Sequence, residues 1–104
     1  MWNILEALEL CRTYNSILSQ HNAHIALTGS VLFKGDSTKD LDLIVYPRKT
    51  SGKIIVPEEI CNLLGLVFVD DRTQQHAEYT DSDEKMVIFA KTVDNRRIDL
   101  FFLQ

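Results

Sequence analysis

The chain has 104 residues, 45% of them hydrophobic and 25% charged. This is the size and balance of one soluble globular domain, and it excludes a fibrous or disordered polymer. The formal net charge of -4 argues against a global attraction to nucleic acid, leaving only local basic patches for such contact, and suits a site that gathers divalent cations.

Residues 2–20 read as a helix. Ile4, Leu8, Cys11, Tyr14 and Leu18 recur at helical spacing, Trp2, Leu5 and Ile17 widen the stripe, and Glu6, Glu9, Arg12 and Gln20 fall outside it. His24 to Thr28 form a short apolar run that reads as a buried strand ending at Gly29. A short helix is expected over 30–34, starting at Ser30, and 35–38 is a loop by composition. Asp40 to Tyr46 read as a second strand, closed by Pro47, with a basic loop over 47–53 that contains Arg48, Lys49 and Lys53. Pro57 opens a helix with Glu58 and Glu59 in its first turn and Gly65 just past its end, the usual asymmetry of helix starts and stops.

Leu66 to Val69 read as a third strand, and 70–84 as an acidic, aperiodic loop. Strands follow over Met86–Val93 and Arg96–Leu103, joined by a two-residue hairpin turn at Asp94-Asn95. The expected fold is therefore a mixed α/β (α+β) domain spanning 1–104, with one mixed sheet of about five strands and helices mainly on one side. Cys11 and Cys61 fall on apolar helix faces and read as buried, reduced thiols, and no Cys/His cluster suggests zinc. No apolar run approaches a membrane span and no signal peptide is seen, so a cytoplasmic protein without membrane contact is expected.

Three features carry chemistry. Thr28-Gly29-Ser30 lies at a strand-to-helix junction, where glycine permits close approach to the backbone and free helix amides can meet phosphate. Asp40-Leu41-Asp42 places two carboxylates on one face of a strand, with Cα atoms roughly 6.6 Å apart, while Leu41, Leu43 and Val45 turn to the core. Carboxylates at that spacing can hold ions about 3.5–4 Å apart, as two-metal phosphoryl chemistry requires. Asp99 sits in the otherwise apolar run Ile98-Asp99-Leu100-Phe101-Phe102. A buried salt bridge with Arg97 and a third metal-binding carboxylate are equally consistent with it.

Taken in order, with nine residues between Ser30 and Asp40, these features resemble the DNA polymerase beta-like nucleotidyltransferase superfamily. The stretches LTGSVLFKGDSTKDLDLIV (27–45) and RRIDLFFL (96–103) carry the resemblance, and the order of elements is similar to that family's minimal core. The resemblance implies that Gly29 and Ser30 bind a nucleoside triphosphate, with Lys39 a further candidate phosphate contact. It implies that Asp40 and Asp42 coordinate two magnesium ions (or manganese), and that Asp99 ligates the catalytic ion and helps activate an attacking hydroxyl. The implied reaction moves a nucleoside monophosphate onto a hydroxyl of a protein, RNA or small molecule. Many family members carry a second, helical domain that grips base and acceptor; nothing here follows Gln104, so a protein partner or homo-oligomer is expected to supply recognition. The alternative is a catalytically inactive, antitoxin-like or inhibitory binding module on the same fold. Lys34, His21, His24 and His76 read as ordinary surface or structural residues.

Overall fold

The computed structural model describes residues 2–37, 39–47, 56–71 and 85–103, with Lys85 described by its backbone only. Most of the expected basic loop, with Arg48, Lys49 and Lys53, and most of the expected acidic loop, with His76, lie outside the described residues.

The first helix, α1 (Ile4–Leu18), begins two residues later than the apolar stripe suggests. The reason is a capping box. The Asn3 side chain accepts the Glu6 amide at 2.9 Å, and the Glu6 carboxylate accepts the Asn3 amide at 3.4 Å. Trp2–Asn3 instead form a short strand, β1. A 3-10 turn over Ser19–His21 and a left-handed Asn22 end the helix. The buried face is Ala7, Cys11, Tyr14 and Leu18. Leu5 and Leu8, expected in the stripe, are 76% and 52% exposed. The sequence stripe is wider than the contact, and the core takes the side centred on the fully buried Ala7.

Strands β2 (Ala23–Thr28), β4 (Asp40–Pro47), β5 (Val67–Asp71), β6 (Lys85–Lys91) and β7 (Arg97–Leu103) form one mixed sheet in the order β2-β4-β7-β6-β5. Only β4 and β7 run parallel; the other pairs are antiparallel. Between β2 and β4 lie the short helix α2 (Gly29–Lys34) and the two-residue strand β3 (Asp36–Ser37), which pairs with β1. The third helix, α3 (Pro57–Leu64), starts at its proline with Glu58 and Glu59 facing the positive end of the helix dipole, and stops at Gly65. Period-2 alternation divides the sheet. Leu41, Leu43 and Val45 of β4 and Ile98, Leu100 and Phe102 of β7 are fully buried, packed in one core with Ala7, Tyr14, Leu18, Ile60 and Leu64 from α1 and α3. Cys11 and Cys61 are buried free thiols within it, and burial pushes Cys61 up to about 11.

Strand β3 falls inside the expected 35–38 loop and β5 runs on to Asp71, and two further local details bear on the sheet. The β6–β7 connection spans 92–96: Thr92 donates its amide to the Arg96 carbonyl, and the Thr92 hydroxyl accepts the Arg96 amide, so both strands are shorter than expected. A second detail is Asn15, in mid-helix, whose side-chain amide bonds both the N–H and the C=O of Ile25 at 2.8 Å. It satisfies backbone groups on edge strand β2 that have no strand beside them.

Candidate metal centre

Asp40 is the first residue of β4, Asp42 lies two positions on, and Asp99 is the third residue of β7. The parallel register sets Asp40 opposite Arg97 and Asp42 opposite Asp99. Since side chains alternate, these four share the sheet face opposite the helical core. One oxygen from each of Asp40, Asp42 and Asp99 lies within 4.8 Å of the other two. The structure thus brings together the three carboxylates singled out in the sequence, and these are hard oxygen donors of the kind that magnesium or manganese takes.

The cluster is electrostatically tense. Burial raises Asp42 to about 6, and the charges of Asp40 and Asp99 push the same way; Arg97 and the Ser30 amide, which donates to the Asp42 carboxylate, oppose the rise. Burial also raises Asp99 to about 6, helped by a hydrogen bond with Asp40 and opposed by Arg97. Arg97 grips Asp99 with two prongs: Nε is 3.0 Å from Oδ1 and Nη2 is 3.3 Å from Oδ2. Its Nε is also 4.0 Å from Asp40 Oδ2, and its guanidinium lies 4.3 Å from the Phe89 ring centroid. The salt bridge and the carboxylate cluster, alternatives in the sequence, are therefore both present. A carboxylate oxygen has a second lone pair beyond the one that Arg97 takes, so the grip on Asp99 leaves its oxygens with acceptor capacity. With every group ionised, three carboxylates and one guanidinium leave two negative charges uncompensated. A single divalent cation matches that deficit.

Gly29 is the residue on which this geometry leans most visibly. Its φ is +72°, and a Cβ built there would fall 2.0 Å from Asp42 Oδ2. Glycine is needed both for the backbone conformation and for the space the carboxylate fills. Helix α2 starts at Gly29 rather than at Ser30, and Thr28, at its N-cap, makes no side-chain capping bond. Ser30 is exposed. A polar cleft of about 300 Å³ beside Asp40 is lined by Ser30, Lys34, Asp36, Ser37 and Lys39. It gathers two of the three candidate nucleotide contacts, Ser30 and Lys39, while Gly29 lines the neighbouring cleft, and it adds Lys34, which ends the short helix and reads from sequence as a surface lysine that could touch a phosphate. On the other side of Asp42 a cleft of about 220 Å³ runs past Thr28 and Gly29 to Ile44, Phe101 and Leu103. His24 stacks its ring 5.4 Å from that of Tyr46 and takes no part in the cluster.

No model of a known protein family matches the chain, and a search of curated proteins finds no significant match. No helix among the described residues is long and apolar enough to cross a membrane.

Two outcomes follow from this geometry. Gly29→Ala and Gly35→Ala both force a left-handed alanine, since Gly35 has φ +87° with open space around it. Each is expected to lose about 1–2 kcal/mol of stability from backbone strain. Only Gly29→Ala displaces the Asp42 carboxylate, so only that variant should also lose its thermal response to Mg2+, read by circular-dichroism melts. The second outcome concerns pH. Asp42 and Asp99 hold their protons to about 6 when folded, against an ordinary value of 3.8. At these two sites the folded state therefore binds more protons between these values, and their contribution to stability falls as pH rises through that window. In chelator, wild type is expected to lose stability relative to Asp42→Asn as pH rises from about 4 to about 7, and Mg2+ should flatten the difference. Urea titrations across that range check it.

Proposed function

We propose that the chain is a metal-dependent nucleotidyltransferase core that moves a nucleoside monophosphate from a nucleoside triphosphate onto an acceptor hydroxyl. The observation that carries this reading is the convergence of Asp40, Asp42 and Asp99 within 4.8 Å, with the Asp42 carboxylate packed against Gly29. Asp40 and Asp42 would hold magnesium (or manganese), and Asp99 would complete the ligand set. The metal, when bound, supplies charge neutralisation on the phosphates and polarises the reacting oxygens. Gly29 and Ser30 would hold the triphosphate at the start of α2. Lys39, with Lys34 across the same cleft, would balance phosphate charge. Asp99 would help activate the acceptor hydroxyl, held in place by Arg97. The acceptor oxygen bonds to the α-phosphorus, the bond to the departing pyrophosphate breaks, and the hydroxyl proton leaves to a carboxylate or to water. In such chemistry the protein contributes mainly positioning and electrostatics. A protein partner or a second copy of the chain would supply acceptor recognition.

The test is incubation of the purified chain with each α-labelled nucleoside triphosphate and Mg2+, with and without proteins co-purified from the native host. Transfer of label to a hydroxyl-bearing acceptor is expected, abolished by chelator and by Asp42→Asn. Absence of transfer to any acceptor, with metal binding intact, would overturn the catalytic part of the reading.

A further inference from the structure

The second residue of the chain bonds directly to one of the strands that carry the carboxylates and is one residue removed from the other. Trp2 is 3% exposed, and its backbone pairs with Ser37 in the small β1–β3 ladder. The Ser37 hydroxyl, also buried, accepts the amides of Lys39 and Asp40 at 3.3 Å each. On its other side, the Trp2 indole N–H donates to the Arg97 carbonyl at 2.9 Å. The ring is held in turn by Arg96, whose guanidinium lies 3.5 Å from its centroid and bonds Glu6 at 2.9 and 3.2 Å. A single residue thus spans from the turn that delivers Asp40 to the residue that opens β7 and grips Asp99.

The location matters because β4 and β7 are parallel. Antiparallel neighbours can be fixed by a tight hairpin; parallel neighbours cannot. Their relative register decides whether Asp42 faces Asp99, and a slip of one residue would turn Asp99 to the core face. Asp40 and Arg97 are the paired first residues of these strands, and Trp2 links the two strand starts, bonding Arg97 directly and Asp40 through Ser37.

We propose that Trp2 is a positioning residue for the carboxylate cluster, holding the N-terminal ends of β4 and β7 in the alignment that sets Asp40, Asp42 and Asp99 together. This rests on the reading of the cluster as a cation site. The experiment is an Mn2+ titration of wild type and Trp2→Phe, with free Mn2+ counted by electron paramagnetic resonance, at a temperature where circular dichroism finds both fully folded. Phenylalanine keeps a ring beneath Arg96 and loses the indole donor. Trp2→Phe should bind Mn2+ measurably more weakly, by up to roughly fivefold, the factor reached if all of the about 1 kcal/mol of such a hydrogen bond is coupled to binding. Glu6→Gln, which weakens the same corner but leaves the indole bond, should bind as wild type does. If Trp2→Phe does not fold, benzothienylalanine at position 2, an indole isostere with sulfur in place of N–H, gives the same comparison. Equal affinity in wild type and the donor-less variant overturns the proposal while leaving the metal site standing, as does an equal loss in Glu6→Gln. Failure of wild type itself to bind Mn2+ overturns the metal site, and the positioning role with it.

Discussion

The cost of holding three carboxylates together, partly out of water and against one another's charge, is the constraint around which this end of the sheet is organised. Asp42 and Asp99 sit opposite each other on adjoining strands, partly shielded from water, and both are pushed well above the ordinary carboxylate range. Arg97 offsets a part of the charge and the Ser30 amide a little more, and the three carboxylates lie close enough together for a cation to balance the remainder. The repulsion is held in place by the other face of the same strands, where Leu41, Leu43, Ile98, Leu100 and Phe102 are fully buried and fix which way the aspartates point.

The surrounding elements converge on that patch. Helix α2 ends in a left-handed Gly35 whose carbonyl accepts the Ile4 amide, tying this helix to the start of α1. Strands β1 and β3 brace the turn into Asp40, and Trp2 extends the brace to β7. The Asp40 side of the cluster opens on a polar cleft with two lysines, the Asp42 side on a largely apolar one. A ligand with a polyanionic end and a less polar end would meet complementary surroundings on either side of the carboxylates.

Much of this was legible in the sequence, for physical reasons that vary by element. Alternation in Asp40–Pro47 separates two carboxylates from a leucine-valine core face, and period-2 geometry leaves no other arrangement for a half-buried strand. Pro57 and Gly65 bracket α3 because each has a backbone requirement that few residues meet. Gly29-Ser30 stood out as a motif, but the reason for the glycine, room for Asp42, depends on a tertiary contact that spacing does not reveal. The β1–β3 ladder has two residues a side, too few for any periodicity to register, although the Asn3–Glu6 pattern of a capping box was available to place the helix start. Leu5 and Leu8 were read as core because an apolar stripe does not say which part of it faces the sheet. The parallel pairing of β4 with β7 joins residues more than fifty positions apart, which local pattern cannot foretell.

The most direct test of the central claim, that these aspartates form a cation site and are not props of the fold, is the thermal stability of Asp40→Asn/Asp42→Asn beside wild type, each in chelator and in Mg2+. Asparagine keeps a carbonyl oxygen for the Ser30 amide and removes the charge. The double variant is expected to be at least as stable as wild type in chelator, because repulsion is relieved. Mg2+ should then stabilise wild type alone, by about 2.7 kcal/mol at a hundred times its dissociation constant. A double variant clearly less stable than wild type in chelator, by the ~1–3 kcal/mol that each orphaned buried partner costs, would mean that the carboxylates hold the fold, and would contradict the claim.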